Sequence, residues 1–238
     1  MRADQERREQ RLARYDELRA ERPGLFANPP GAAFEIVFDR ASQLAAAETA
    51  AEQLRAEGRP AEYGDMGVVY EDRFAILVRD TVRFRDGKIG PYIRLLGADS
   101  GTGAAILPML NDGQILLVRH FRHGLRGWQW EIPRGFSEGG ADGATTAARE
   151  LAEEIGVATA KIEPLGRLAA EGAFDEIYLA RLAADTLPVM LPAEAVTEGI
   201  DERRLCTSAE LAAMIAAGEI TDQYLLAAWA FATAKGHI

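Results

Sequence analysis

Glu150, Glu153 and Glu154 stand in the run R-E-L-A-E-E-I-G-V, residues 149–157. At about 100° per residue on a helical wheel, these three carboxylates share an arc of roughly 100°. Ala144, Ala148, Leu151 and Ile155 share an adjoining, narrower arc. The pattern predicts a short helix with an apolar face on a core and an acidic face beside it. Gly156 occupies the place of a left-handed C-cap. Like charges at i,i+3 and i,i+4 repel by roughly a few tenths of a kcal/mol per pair. Two readings follow: a solvated acidic face, or a seat for a hard divalent cation such as Mg²⁺, which takes oxygen ligands and keeps several waters. A carboxylate cluster behind a glycine-containing loop suits metal-assisted attack on phosphorus. The cation would neutralise developing charge and acidify a bound water, and a separate carboxylate would take the proton. No nucleophilic Ser or Cys with a nearby base is evident.

Around this helix the pattern is strand-rich. Phe74–Val78, Thr81–Phe84, Ile89–Leu95, Ala104–Leu110, Gln114–His120 and Trp128–Ile132 precede it, with turns at Asp86-Gly87 and Asn111-Asp112-Gly113. Ile115–Val118 is apolar without alternation, which implies burial on both faces. Ile162–Leu168, Glu176–Leu182 and Arg204–Thr207 follow as strands, with an acidic, Pro-containing loop from Leu187 to Ile200. Ser208 is the expected N-cap of a helix through Ala217, without a capping box because Leu211 stands three residues on. Thr221 or Asp222 starts a last helix. The fold class is mixed α/β (α+β).

Upstream, Arg2–Arg22 reads as a solvated helix with a thin stripe of Leu12, Tyr15 and Leu18. Phe34–Phe38 is a short strand, and Asp39–Glu57 a helix with Leu44, Ala47, Ala51 and Leu54 on one face. Residues 1–62 carry no chemical motif and are expected to form an N-terminal packing or dimer-forming extension, with the main domain at 63–238.

A net charge of −10 argues against general binding to nucleic acid or anionic membranes. No apolar run is long enough to span a membrane, and the charged first residues do not fit a secretory signal. The single Cys206 excludes an internal disulfide framework and fits a reducing, cytoplasmic setting. His120, His123 and His237 lack zinc-ligand spacing.

The run R-E-L-A-E-E-I-G-V, with Gly135 fourteen residues before Arg149, resembles the Nudix hydrolase signature. Gly135, Arg149, Glu150, Leu151, Glu153, Glu154, Gly156 and Val157 match in register, while the first Glu of the signature is Ala141 here. E-I-P-R-G at 131–135 and V-R-H-F-R at 118–122 are similar to the ADP-ribose pyrophosphatase branch. The resemblance implies a Nudix-type α/β/α sandwich with a mixed sheet, cleavage of nucleoside diphosphates linked to another moiety, Mg²⁺ or Mn²⁺ as cofactor, and a homodimer. It implies Glu150 and Glu154 as the main metal ligands, with Glu153 and the Arg134 carbonyl as further ones. Arg149 would orient the glutamates. Arg122 is either a phosphate-gripping residue, for which a bidentate guanidinium is suited, or a solvent-exposed strand end. Glu131 either contacts substrate or closes a structural hydrogen bond. The Arg134 side chain stands where the branch commonly has Ala, and either reaches a phosphate or points to solvent. The general base would come from the loop T-E-G-I-D-E-R, with Glu198 aligning best and Asp201 or Glu202 as fallbacks. Trp128 and Trp130 share one strand face and either stack a base or pack in the core. The competing reading, favoured by Ala141, is a nucleotide-binding module of the same fold with weak or lost turnover. Glu138 or Asp142 in the same loop could partly replace the missing Glu.

Overall fold

The structure, a computed structural model, describes residues 2–99, 101–158, 160–170 and 173–238. The chain divides into two compact units, Met1–Ser100 and Gly101–Ile238. This division and the sequence-based boundary after residue 62 differ by the strands between Gly67 and Gly97. Those strands form a sheet of their own in the first unit.

In the first unit, helices α1 (Arg2–Glu21) and α2 (Arg40–Ala56) accompany strands β1 (Glu35–Ile36), β2 (Gly67–Glu71), β3 (Ala75–Arg83) and β4 (Ile89–Gly97). The two β-branched and aromatic runs at 74–84 form one strand, β3, which pairs antiparallel with β1, β2 and β4. The stripe of Leu12, Tyr15 and Leu18 is fully buried, not thinly solvated as the charge of α1 suggests. The charge of α1 is drawn inward as well: Arg7, Arg8 and Arg11 converge on the buried Asp65 at 2.6, 3.0 and 2.7 Å.

The second unit holds β5 (Ala104–Leu110), β6 (Ile115–Arg122), β7 (Gly127–Glu131), β8 (Arg134–Gly135), α3 (Gly143–Ile155), β9 (Lys161–Ala170), β10 (Ala173–Leu182), α4 (Ala193–Glu198), β11 (Ile200–Cys206), α5 (Ser208–Ala216) and α6 (Gln223–Ala234). Its mixed sheet has the order β11-β6-β5-β10-β9, with β7 paired to β6 and β8 to β5. β10 runs parallel to β5, and the other pairings are antiparallel. Every residue of β5 is buried. Alternate side chains explain why, because strand residues point to opposite faces. Ala105, Leu107 and Met109 pack with α5 and α6, whereas Ala104, Ile106 and Leu110 pack with α3 and α4. The unit is therefore an α/β/α sandwich.

Three local expectations are corrected. The acidic loop at 187–200 contains the helix α4. Helix α5 is capped by Thr207, one residue earlier than expected, and Glu210 completes a capping box with it. The third concerns α3. Ala144 and Ala148 are exposed, and the buried face is Ala147, Leu151 and Ile155 together with Glu150 and Glu154. Two of the three carboxylates thus lie under the helix instead of beside its buried stripe.

Candidate active site

Helix α3 sets the centre of the site. Asp142 caps its start by accepting from the Thr145 N–H at 2.8 Å. Gly156 ends it at φ +77°, a left-handed conformation suited to glycine. Between these caps, Glu150 and Glu154 sit one turn apart at 6% and 3% exposure. Gly135 on β8 admits them: a Cβ there would lie 1.8 Å from Glu150 Oε1. β8 is itself held against the start of β5, Arg134 opposite Ala105 and Gly135 opposite Ala104.

Burying carboxylates is costly, and the site shows where that cost is met. Arg149 donates to Glu150 Oε1 at 2.6 Å, to Glu153 Oε2 at 2.5 Å and to the Phe136 carbonyl at 2.7 Å. It ties the helix to the loop that follows Gly135. Glu154 has no such arginine, and its Oε2 is buried without a hydrogen-bond partner. Burial pushes Glu154 up to about 8, with the Glu150 charge adding to the rise and the Arg134 backbone N–H opposing it. Burial likewise pushes Glu150 up to about 7, against Arg149 and with the charges of Glu153 and Glu198. Glu153 is raised by burial and pulled back by Arg149.

Behind these residues lies a second charged cluster. Glu131, at 0% exposure, has Arg122 Nε at 2.9 Å, His120 Nδ1 at 3.0 Å and Arg134 Nη2 at 3.1 Å. Burial alone would raise Glu131, but His120 and the two guanidinium charges hold it below the usual carboxylate range. Arg134 also reaches Asp222 Oδ2 at 3.2 Å and stacks over the Tyr224 ring at 4.3 Å. Its side chain is tied to these partners while still contributing to the cavity wall. It joins β8 to the start of α6, where Asp222 is the N-cap. The Tyr224 hydroxyl donates to Asp175 at 2.6 Å.

These elements enclose a cavity of about 340 Å³ whose walls include Arg122, Gly135, Phe136, Glu154, Glu198 and Tyr224. Among the residues picked out from sequence, Arg122, Arg134, Glu154 and Glu198 line this one cavity. Asp201 and Glu202 do not line it, and instead pair with Arg119 at 2.6 and 3.3 Å. Trp128 packs edge-on against Phe121 under the Arg119 guanidinium, and Trp130 packs against the α5–α6 side of the core. Neither tryptophan is a wall of the cavity. The sequence alone assigned no site role to His120, Asp175, Asp222, Phe136 or Tyr224. His120 had a readable signal, since it stands two residues before Arg122 and so on the same strand face. Tyr224 and Asp175 had none, because only the tertiary fold brings them together.

The donors fit a hard cation. Glu154 Oε2 is a buried acceptor with no partner, Glu150 adjoins it, and the missing side chain of Gly135 leaves room for the Glu150 carboxylate. Among the described residues, no three His, Cys, Asp or Glu side chains converge to enclose a metal unaided. Water, backbone oxygen and substrate phosphate would complete such a shell, as Mg²⁺ usually requires. In the loop of Ala141, Asp142 is committed to capping α3, whereas Glu138 Oε1 lies 3.6 Å from Arg149 Nη1. Among the described residues, no helix is long and apolar enough to cross a membrane.

The sequence profile of the NUDIX domain matches residues 99–227. No curated protein matches the chain. A solved structure described as "Crystal structure of ADP compounds hydrolase" is similar in fold, with a TM-score of 0.55 at 18% sequence identity. The likeness covers 72% of this chain and 93% of that one.

Proposed function

The chain belongs to the Nudix family of diphosphate hydrolases, and from that premise we propose that it uses Mg²⁺ or Mn²⁺ to cleave a nucleoside diphosphate derivative such as ADP-ribose or a nucleotide sugar. The observation that carries this reading is the buried Glu150–Glu154 pair on one helix face, Glu150 against Gly135 and Glu154 on the wall of a cavity that also presents Arg122. The structural relative named for ADP compounds supports the same substrate class. Glu150 and Glu154 would hold the cation, with the Arg134 carbonyl as an added oxygen donor. Glu153, paired to Arg149, would contribute through water. A divalent ion so held supplies charge neutralisation at the diphosphate and a more acidic water.

The chain's own residues do the rest. Arg149 fixes the Glu150 rotamer and spans to the Phe136 carbonyl, so the helix and loop keep one spacing. Arg122 is oriented by Glu131 through Nε and lines the cavity, where its guanidinium would bind a phosphate. Glu198, exposed on the cavity wall, takes the proton from the attacking water. The homodimer implied by the resemblance belongs to this proposal and is read from the mass in solution.

Ala141 favours a second reading, a nucleotide-binding module of this fold with little turnover. Incubation with ADP-ribose and with nucleotide sugars, each with Mg²⁺ and with Mn²⁺, separates the two. Release of two monophosphates supports the hydrolase. Binding without product supports the module.

A further inference from the structure

Glu198 is the last residue of a helix of six residues, closed by the Gly199 N–H bonding back to the Ala195 and Val196 carbonyls. The final carbonyls of any helix lack intrahelical donors. Here the Glu198 carbonyl has a partner from outside: His120 Nε2 lies 3.1 Å from it. A carbonyl only accepts, so Nε2 carries the proton in this contact. The other ring nitrogen, Nδ1, lies 3.0 Å from Glu131 Oε1. His120 is itself buried. The ring thus hydrogen-bonds the backbone of the residue read as the general base while its Nδ1 packs beside the Glu131 carboxylate without a hydrogen bond to it. The next peptide is anchored too, because the Phe121 N–H donates to the Gly199 carbonyl at 2.9 Å. Gly199 then turns at φ +99° into β11.

We infer that His120 is a positioning residue for hydrolysis, holding the end of α4 so that Glu198 stays on the cavity wall. The inference rests on the reading of Glu198 as the base. His120 is also a wall of the cavity, but its Nε2 is engaged by the Glu198 carbonyl, and it acts through that backbone contact. A base displaced by about 1 Å can lose on the order of 100-fold in rate.

The test uses the full chain with ADP-ribose and Mg²⁺. His120→Leu should lower kcat by about 10- to 100-fold and leave KM within about threefold. His120→Gln, which keeps an amide donor, should stay within about threefold of the wild type. In the Glu198→Gln background, His120→Leu should cost less than about threefold more, because both changes remove one function. If Glu198→Gln retains wild-type kcat, the base reading falls and this inference falls with it. If Glu198→Gln is slow while His120→Leu is fast, or their losses multiply, only the positioning role is overturned. Two further measurements do not depend on turnover. Amide exchange at Gly199 should quicken in His120→Leu by about tenfold or more, and an unchanged rate overturns the anchor. In the wild type, NMR should show a hydrogen-bond coupling from the His120 Nε2–H to the Glu198 carbonyl. Its absence overturns the anchor even where His120→Leu does not fold.

Discussion

Replacing Glu154 with glutamine should make the metal-free protein more stable at alkaline pH while removing its response to divalent cations. The Glu154 carboxyl is buried, one oxygen lacks a partner, and burial with the Glu150 charge raises it from 4.5 to about 8. The unfolded chain ionises this group near its ordinary value. Between those two pH values the fold keeps a proton that the unfolded chain has released, so stability falls as pH rises through that window. Below the window both states are protonated and the penalty vanishes; above it both are ionised and the penalty is complete. At about 1.4 kcal/mol per pH unit between 4.5 and about 8, the full penalty is on the order of 5 kcal/mol. Glutamine keeps the shape and an oxygen for the Arg134 N–H, without charge. Burying its incompletely bonded amide costs about 1–3 kcal/mol. The balance at pH 8.5 is a gain of about 2–4 kcal/mol, or roughly 4–16 °C in Tm for a chain of this length. At pH 5.5 most of the gain disappears. Thermal melts in chelator at the two pH values read this directly. A variant that loses stability equally at both would refute the buried, strained carboxylate.

The metal reading predicts that Mg²⁺ at a hundred times its Kd raises wild-type stability by about 2.7 kcal/mol, more at pH 8 than at pH 6, and leaves Glu154→Gln unmoved in the same melts. Gly135→Ala should fold but lose about 100-fold or more in kcat, since the new Cβ would lie 1.8 Å from Glu150 Oε1; near-normal turnover would show that Glu150 has another workable position. Arg134→Leu leaves Glu131 and Asp222 facing each other without their shared cation, and a urea melt should show a loss of about 3–5 kcal/mol; a loss below about 1 kcal/mol would reassign Arg134 from fold to ligand. Ala141→Glu should keep or raise activity, and a large loss in kcat would show that this loop has been rebuilt around Glu138 and Ser137.

The sheet and its helices were legible because their patterns are local. Alternation and apolar runs marked β5, β6 and β10, and Gly156 and Asp222 marked helix ends. The turns at Gly87 and Gly113 carry the expected positive φ. Helix α3 was legible in its extent but not in its rotation. A wheel ranks faces by hydrophobicity, so it assigned Ala148 to the core and Glu154 away from it. The site reverses that order, placing carboxylates inward at an energetic cost. Helix α4 was hidden because two prolines and four acidic residues between 188 and 202 read as loop chemistry. The pairing of Arg134 with Asp222, across 88 positions, has no local signature. His120 was visible only as a neighbour of Arg122, because its partners arrive from β7 and from the end of α4.

The most direct measurement of the central claim is product analysis on ADP-ribose and a panel of nucleotide sugars with Mg²⁺ or Mn²⁺, for the wild type and Glu154→Gln side by side. Two monophosphate products are expected from at least one member, abolished by chelator, restored by added metal, and nearly absent in the folded variant. Turnover that survives both the chelator and the Glu154→Gln change, or no turnover of any member, would contradict that claim.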